Sequence, residues 1–204
     1  MRRPRFIAEQ ARDANGLLGR LIAFIMARET WAQNQRAIDA LEVAAEDHVL
    51  DVGCGPGRAL AALAAMAPKG RVVGVDPSEL MAEIATDRNQ ALIRSGRVDV
   101  AVTGVEDLPF SNGAFDKVLC VHVLYFWPDL VPALREIARV TKPGGRVALL
   151  FRTTADHAAV QAFPPDVYRF RSLDEVLAAL KEAGFEVDRT SQGTPTLVEA
   201  RRTP

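Results

Sequence analysis

A glycine-rich segment, Asp51-Val52-Gly53-Cys54-Gly55-Pro56-Gly57, lies between a short apolar run and a stretch of strong helix formers. A glycine loop in this context is typical of nucleotide binding, because its backbone turns sharply and approaches a ligand without Cβ contacts. The spacing is GxGxG, since arginine occupies position 58, where a dinucleotide-binding GxGxxG would have its third glycine. Asp51 would repel a pyrophosphate and attract an ammonium group. The segment therefore favours a ligand with a cationic group.

Further acidic residues follow the next two predicted strands. Asp76 comes about 20 residues after Gly57, the spacing at which an acid binds the ribose hydroxyls of a nucleotide. Glu106 and Asp107 have apolar neighbours on both sides, so this segment could contact the amino group and the ring of an adenine. An adenosine that carries an ammonium group accounts for all of these features.

The segment from Val121 to Trp127 supplies the candidate catalytic residues, His122 and Tyr125. It ends the fourth predicted strand, and ligands of open α/β sheets bind at the carboxyl ends of the strands. A histidine with the usual pKa of ~6.5 could act as a general base at neutral pH. The alternative, which we favour, is a hydrogen-bonded pocket wall, and Tyr125 could likewise only shape the pocket.

Strands and helices alternate along the chain after residue 40. Parallel neighbours need long crossover connections, so the alternation predicts a doubly wound α/β fold. Apolar runs predict seven strands, the last two forming an antiparallel hairpin at the sheet edge: His48–Val52, Arg71–Val75, Val98–Val102, Phe115–Val121, Gly145–Phe151, Phe185–Arg189 and Thr196–Ala200.

Helical spacing and terminus signals complete this prediction. Lys142 to Gly145 is a predicted turn, the stretch Thr153–Arg171 is predicted to be irregular, and Ser172 with Glu175 is predicted to form a capping box. The predicted helices after residue 40 are Ala59–Ala67, Ser78–Ile93, Leu130–Val140 and Ser172–Ala183.

The N-terminal region predicts two further helices. Apolar residues recur at spacings of three and four over residues 17–28, and the pattern resumes from Trp31 to Leu41. We expect residues 1–40 to form a helical cap on one compact domain, residues 41–204. Phe24, Trp31 and Asn34 of this cap could cover a bound cofactor and form part of an acceptor pocket, with ordinary core packing as the alternative.

Composition excludes several classes of protein. The 204 residues carry a net charge of -1, and two cysteines, Cys54 and Cys120, form neither a disulfide framework nor a CxxC metal motif. The longest uncharged apolar runs, residues 59–67 and 118–127, are shorter than the ~18 residues of a spanning helix, and the N-terminus lacks a signal-peptide pattern. We expect a cytoplasmic protein.

The basic residues of the N-terminal region leave one alternative open. Residues 1–36 hold seven arginines and three acids. This excess is interpreted as a solvated helix face and a frayed terminus, and the alternative is an arm that binds nucleic acid or phosphate.

Five ordered segments resemble the class I S-adenosylmethionine-dependent methyltransferases. The resemblance covers about residues 40–200 and is closest to small single-domain members that look like quinone-biosynthesis C-methyltransferases. It implies a Rossmann-like sheet of strand order 3-2-1-4-5-7-6 with strand 7 antiparallel, and S-adenosylmethionine as cofactor with S-adenosylhomocysteine as product. The segments are Val49–Gly57, Val75-Asp76, Glu106–Phe110, Phe115–Val118 and Lys142–Gly145.

The resemblance also assigns site residues. Asp51 and the glycine loop would hold the methionine portion, Asp76 the ribose, and Asp107 with Leu108 the adenine, while Val121 would neighbour the sulfonium. The complete cofactor set is Asp51, Gly53, Cys54, Gly55, Gly57, Asp76, Pro77, Ser78, Met81, Glu106, Asp107, Leu108 and Val121. The expected acceptor pocket consists of Phe24, Trp31, Asn34, Tyr125, Trp127 and His157, and no metal site is expected.

The reaction class implied is methyl transfer to a small-molecule acceptor, aromatic or otherwise apolar. Alignment and desolvation can accelerate an in-line displacement, so no universal acid or base is required. His122-Val123-Leu124-Tyr125 departs from the Asn/Asp-Pro-Pro-aromatic motif of amino-group methyltransferases, which counts against DNA adenine and glutamine amide as acceptors.

Three alternative functions remain. They are RNA or protein methylation, a cofactor-binding module without catalysis, and, least favoured, a dehydrogenase. We expect no nucleic-acid partner and a monomer or homodimer.

Overall fold

A seven-stranded sheet with helices on both faces forms the centre of the molecule. The computed structural model describes residues 4–12 and 14–204. The strands are β1 His48–Val52, β2 Arg71–Asp76, β3 Val98–Val102, β4 Phe115–Val121, β5 Thr141–Phe151, β6 Phe185–Ser191 and β7 Thr196–Arg202. The helices are α1 Arg5–Arg12, α2 Gly16–Glu29, α3 Trp31–Ala40, α4 Arg58–Met66, α5 Glu79–Arg88, α6 Gln90–Arg94, α7 Leu130–Val140, α8 His157–Ala162 and α9 Leu173–Glu182.

The strand order is β3-β2-β1-β4-β5-β7-β6, which confirms the order that the family resemblance implied. β1 pairs in parallel with β2 and with β4, β2 with β3, and β4 with β5. β7 pairs antiparallel with both β5 and β6, which confirms the predicted hairpin. The strand order reverses between β1 and β4, so the carboxyl ends of these strands open a crevice at a topological switch point.

Alternating side chains of the central strands supply two hydrophobic clusters, one on each face of the sheet. Leu50 of β1 and Cys120 of β4 belong to one cluster, while Val49 and Leu119, their neighbours in sequence, belong to the other. Both faces are therefore covered, as expected for a parallel sheet with strands that are almost continuously apolar. This core fixes where the strand ends lie.

Three helices precede the first strand, whereas the sequence predicted two. The predicted pair corresponds to α2 and α3, and α1 is additional; its eight residues are too few for a helical repeat of apolar positions to be recognised. α1 packs on α2, α2 packs on α5, and α3 packs on β4 and β5. The helices thus lie over the sheet, and the boundary between a cap and a domain at residue 40 stays a prediction.

The predicted single helix Ser78–Ile93 is instead two helices, α5 and α6, which meet at Asn89. Ser78 is the N-cap of α5, since its hydroxyl accepts from the backbone N–H of Met81. The Asn89 amide donates to the carbonyl of Ala85 at 2.8 Å and to that of Gly57 at 2.9 Å. The break thus lets the Asn89 side chain reach the glycine loop.

Two other boundaries differ from the sequence prediction. β5 begins at Thr141 rather than Gly145, because Thr141 already pairs with Phe115 of β4. The register then shifts, and the pairing continues from Arg146 with Lys117. The stretch predicted to be irregular contains α8, whose N-cap Asp156 accepts from the N–H of Ala159 at 3.0 Å. The predicted capping box at the start of α9 is confirmed. Among the described residues, no helix is long and apolar enough to cross a membrane.

Candidate functional site

A cavity of about 960 Å³ opens at the carboxyl ends of β1, β2 and β4. Its floor and walls come from the loops that follow these strands and β5, and its roof from α1, α2 and α3. The described roof residues are Ile7, Ala8, Arg12, Ala14, Ile22, Ile25, Glu29, Thr30, Gln33 and Asn34. Residues from widely separated parts of the chain thus enclose one space of the size that small-molecule sites have.

The glycine loop forms one wall of this cavity. The N–H groups of Gly53 and Cys54 both donate to the carbonyl of Val75, at 2.8 and 3.0 Å, which holds the loop against the end of β2. Gly55 and Gly57 have φ of 52° and 69°, in the left-handed region. A Cβ on Gly57 would lie 2.8 Å from the backbone of Ala85, whereas a Cβ on Gly55 would meet no atom within 4 Å. Gly57 is therefore needed for packing and Gly55 leaves open space at the cavity wall.

Asp76 links the end of β2 to the glycine loop. Its carboxylate accepts from the N–H of Gly55 at 2.9 Å and from the N–H of Ser78 at 3.0 Å. The residue is buried and lines the cavity. A carboxylate oxygen has more than one lone pair, so Asp76 can hold the loop and still accept from a ligand hydroxyl.

Asp51 is buried at the end of β1, behind the loop. Burial, with the carboxylate of Asp76 adding to it, raises the pKa of Asp51 to about 7. A cation nearby would favour the ionised form of this group. Asp51 and Asp76 therefore place two carboxyl groups where a positive charge would stabilise their ionised forms.

Asn89 is a residue of this wall that the sequence interpretation missed. Its bonds to Gly57 and Ala85 fix the C-terminal side of the loop to α5. The available signal was the residue type, because asparagine favours helix ends over helix interiors, and Asn89 is the residue at which α5 ends and α6 begins.

The predicted cofactor residues fall into two groups. Those that line the cavity are Gly53, Cys54, Gly55, Asp76, Pro77, Met81, Glu106 and Val121. The others lie behind or beside the lining: Asp51, Gly57, Ser78, Asp107 and Leu108. Leu108 is a core residue whose N–H donates to Glu136, and Asp107 is exposed. The structure thus brings the β1 and β2 residues together more closely than those after β3.

His122 and Tyr125 lie together in the opposite wall. The N–H of Arg152 donates to the Tyr125 hydroxyl at 2.6 Å, and that hydroxyl lies 3.0 Å from Nδ1 of His122. Nε2 of His122 faces Oε1 of Gln33 in α3. Because Oε1 only accepts, we assign the imidazole proton to Nε2, and the Tyr125 hydroxyl then donates to Nδ1. Both ring nitrogens are therefore engaged in this structure.

Electrostatics keep His122 neutral. Burial, and secondly the charge of Arg152, lower the pKa of His122 to about 4. Burial also raises the pKa of Tyr125, so its hydroxyl retains its proton at neutral pH. His122 adopts a φ of 59°, which is uncommon for a residue with a side chain and fixes the ring's direction at the strand end.

An aromatic cluster completes this wall. Tyr125 lies 5.5 Å from Tyr168 and 5.1 Å from Phe170, measured between ring centroids, and Phe163 lies 4.4 Å from Tyr168. These rings, together with Phe126 and Trp127, line the cavity. The half of the cavity opposite the glycine loop is therefore mostly apolar.

The predicted acceptor residues are only partly brought together. Asn34, Tyr125 and Trp127 line the cavity. Trp31 does not line the cavity, and the Arg58 guanidinium carbon lies 4.2 Å from the centroid of its ring. His157, the first residue of α8, does not line the cavity either. The Phe24 side chain lies outside the part that the structure describes. The lining residues that sequence reasoning missed include Gln33, Arg152 and Phe170, because no local motif marks them.

Several arginines of the N-terminal region have protein partners. Arg5 pairs with Glu9 and Asp166, Arg20 pairs with Glu83, and Arg36 donates to carbonyls of the β6–β7 connection. Arg2 and Arg3 lie outside the described residues.

Residues 50–149 match the family described as methyltransferase domain. The chain is 34% identical over 159 residues to a 27-O-demethylrifamycin SV methyltransferase of Amycolatopsis mediterranei (strain S699), covering 74% of this chain and 58% of that protein. It is 27% identical over 195 residues to a ubiquinone/menaquinone biosynthesis C-methyltransferase of Geotalea daltonii, and the match covers 83% of this chain and 82% of that protein. This chain matches between 32% and 62% of the length of several other curated relatives.

The fold has solved counterparts as well. A geranyl diphosphate C-methyltransferase from Streptomyces coelicolor A3(2), crystallised with Mg²⁺, geranyl diphosphate and S-adenosylhomocysteine, superposes with a TM-score of 0.75 at 18% identity. The superposition covers 94% of this chain and 88% of that one. The matched methyltransferase domain and the relatives named as methyltransferases support the predicted resemblance to the class I S-adenosylmethionine-dependent methyltransferases.

Proposed function

We propose that this protein transfers a methyl group from S-adenosylmethionine to a small apolar or aromatic acceptor. One observation carries the proposal: a single cavity joins a polar wall, built from the glycine loop and Asp76, to an aromatic wall built around Tyr125. The first wall suits an adenosine with an ammonium group, and the second suits an apolar molecule. A transferase needs both substrates in one enclosed space.

The polar wall fits the cofactor on its own chemistry. Gly55 leaves open space at the wall, Asp76 can accept from ribose hydroxyls, and the raised pKa of Asp51 indicates a place where a cation would be stabilised. Glu106, after β3, would lie toward the adenine, and Val121, at the end of β4, toward the sulfur. When bound, S-adenosylmethionine would supply an electrophilic methyl group.

The protein's own contribution to the reaction is alignment and exclusion of water. The roof helices cover the cavity. The aromatic cluster would hold the apolar part of the acceptor, so that its reacting atom is in line with the methyl group to be transferred. His122 is neutral and hydrogen-bonded at both ring nitrogens, so it would orient the acceptor rather than act as a base. This role agrees with the interpretation of His122 as part of the pocket wall.

Binding measurements test the cofactor assignment first. Calorimetric titration of the full chain with S-adenosylhomocysteine, and in parallel with NADH, is expected to show micromolar affinity for the former alone. Binding of NADH alone, or of neither compound, would reject the proposal.

Activity is then tested with methyl-labelled S-adenosylmethionine and a panel of quinols, phenols, aromatic carboxylic acids and small RNAs. We expect label in one of the small molecules, at a rate that depends little on salt. Label confined to RNA, with strongly salt-dependent binding, would support the RNA alternative instead. Tight cofactor binding without transfer to any acceptor would support a non-catalytic module.

A further inference from the structure

The proposed function leaves open which chemical form of the acceptor is bound. The aromatic wall around Tyr125, which we call the acceptor wall, constrains that form. Two groups lie at the ends of neighbouring strands: His122 follows β4 and Arg152 follows β5. The N–H of His122 donates to the Leu150 carbonyl at 2.8 Å, which joins the two strand ends. Both side chains line the cavity.

His122 presents a hydrogen-bond donor here. Gln33 Oε1 at Nε2 can only accept, so the imidazole proton is on Nε2 and the Tyr125 hydroxyl donates to Nδ1. An imidazole whose free lone pair is already bonded cannot take a proton from an acceptor unless this arrangement breaks. The Tyr125 hydroxyl, in turn, accepts from the backbone of Arg152. The chain of bonds therefore leaves no free base among these residues.

Arg152 adds a positive charge to the same wall. Its Nη1 donates to the carboxylate of Asp156, the N-cap of α8, at 2.5 Å. Nε and Nη2 make no hydrogen bond to any residue in the part of the chain that the structure describes, and about a third of the side chain is exposed. The guanidinium is thus held by one ion pair, and its donors at Nε and Nη2 remain available to a ligand.

The acidic groups of the cavity lie elsewhere. Among the described lining residues they are Glu29, Asp76 and Glu106. Asp76 and Glu106 follow β2 and β3, on the cofactor side, and Glu29 is exposed at the end of α2. The remaining charged or titratable neighbours of His122 and Tyr125 are Arg152, Asp156 and Tyr168.

We propose that the acceptor binds as an oxyanion, the ionised form of an acidic phenol, enol or carboxylic acid on an apolar body, with its oxygen held by Arg152 and by Nε2–H of His122. The anion's oxygen would take the place at Nε2 that Gln33 fills in this structure. Such an oxygen already has the lone pair that forms the new O–C bond. The C–S bond breaks with its electron pair moving to sulfur, so no proton has to leave and no base is needed. This inference rests on the proposed function.

A coloured probe tests the charge state directly, without turnover. 4-Nitrophenol is titrated into the full chain in the presence of saturating S-adenosylhomocysteine, and its yellow phenolate form is followed by absorbance across a pH series. We expect the bound probe to stay ionised at a lower pH than the free probe. We also expect benzoate to compete with it and the neutral analogue benzamide to fail.

Variants identify the groups responsible. Arg152→Met is expected to weaken phenolate binding by about tenfold or more and to remove the pKa shift of the probe, because a charge-assisted bond is lost. Arg152→Lys keeps the charge and the pairing with Asp156, so it should bind the phenolate more tightly than the methionine variant. Arg135→Met, which removes an exposed arginine paired with Glu182 on α9, is the matched control and should leave the probe unaffected.

Three results would overturn the proposal. They are preferential binding of the neutral phenol, equal phenolate binding by wild type and Arg152→Met, and no binding of 4-nitrophenol or benzoate at millimolar concentration. Each is distinct from failure of the proposed function, which would appear as loss of S-adenosylhomocysteine binding in the same samples.

Discussion

The two walls of the cavity are built in different ways. The polar wall, which we propose binds the cofactor and call the cofactor wall, comes from residues 51–89. It is held by backbone hydrogen bonds and by two side chains, Asp76 and Asn89. The acceptor wall combines α3, the end of β4, Arg152 and residues 163–170, and it is held by side chains that meet across long sequence separations. A local motif therefore specifies the first wall, whereas only the folded chain specifies the second.

This difference also separates two tasks. Backbone groups and glycines recognise a constant ligand, because they change little when side chains are substituted. Aromatic rings and a few polar side chains define a pocket whose shape depends on every residue that contributes. Substitutions in the cofactor wall should thus affect stability and cofactor affinity together, and substitutions in the acceptor wall should leave cofactor affinity intact.

The largest effect is expected for Gly57→Ala. The new Cβ would lie 2.7 Å from the Cβ and 2.8 Å from the Cα of Ala85, in a residue whose φ is 69°. Steric overlap and backbone strain together should cost about 2–4 kcal/mol of unfolding free energy. Urea unfolding measures this loss.

Gly144→Ala is the matched control for that substitution. Gly144 has φ of 77°, and a Cβ there would meet nothing within 4 Å, so it isolates the backbone cost of about 1–2 kcal/mol. Equal losses in both variants would show that contact with α5 does not constrain the loop.

Asp76→Ala should have the next largest effect, on cofactor affinity. The substitution removes the proposed ribose contact and leaves the N–H groups of Gly55 and Ser78 without their acceptor. We expect S-adenosylhomocysteine to bind more weakly by about 1–3 kcal/mol, measured by calorimetry. Asp99→Ala removes an acid of β3 that pairs with Arg71 and should leave the affinity unchanged. Unchanged affinity in Asp76→Ala would exclude Asp76 from the ribose site.

The segments that form the cofactor wall follow local sequence patterns, for the reason that this comparison gives. The glycine spacing, Asp76 and the seven strands are local patterns, and the structure confirms the strand order that their resemblance implied. Asn89 was missed because its role appears only when α5 ends beside the loop. On the acceptor side, His122 and Tyr125 were named as candidates because they follow the end of a predicted strand. Their partners Gln33 and Arg152 could not be predicted, since a hydrogen bond between residues 89 positions apart leaves no periodic signal in the sequence.

A smaller and pH-dependent effect is expected for Asp51→Asn. With a native pKa of about 7 against an ordinary value of 3.8, wild-type Asp51 holds its proton in the folded state over a range where the unfolded chain has lost it. The stability contributed by that proton is present below about pH 4 and is lost as the pH rises to 7. The variant should therefore gain stability relative to wild type as the pH rises, by about 3 °C in Tm or more at pH 8.

Asp116→Asn provides a comparison of opposite sign. Burial raises the pKa of Asp116, but hydrogen bonds from Lys142 and from the His48 N–H outweigh it and hold the pKa below its usual range. Its contribution to stability is present above the unfolded pKa and is lost as the pH falls, so this variant should be less stable than wild type at pH 8. Thermal melts of both variants at pH 5 and pH 8 measure the contrast. A pH-independent difference in Asp51→Asn would contradict the raised pKa.

Tyr125→Phe should have the smallest effect on stability and the cleanest effect on the acceptor wall. It removes one hydroxyl, the acceptor for the Arg152 N–H and the donor to His122 Nδ1, at a cost of about 1 kcal/mol. Gln33 Oε1 still accepts from Nε2–H of His122 in this variant, so nitrogen NMR of the ring should keep the single Nε2–H tautomer. The affinity for S-adenosylhomocysteine should stay within about twofold of wild type. A matching loss of cofactor affinity would show that the two walls are coupled, and a mixture of tautomers would show that the Tyr125 hydroxyl, rather than Gln33, sets the proton's position.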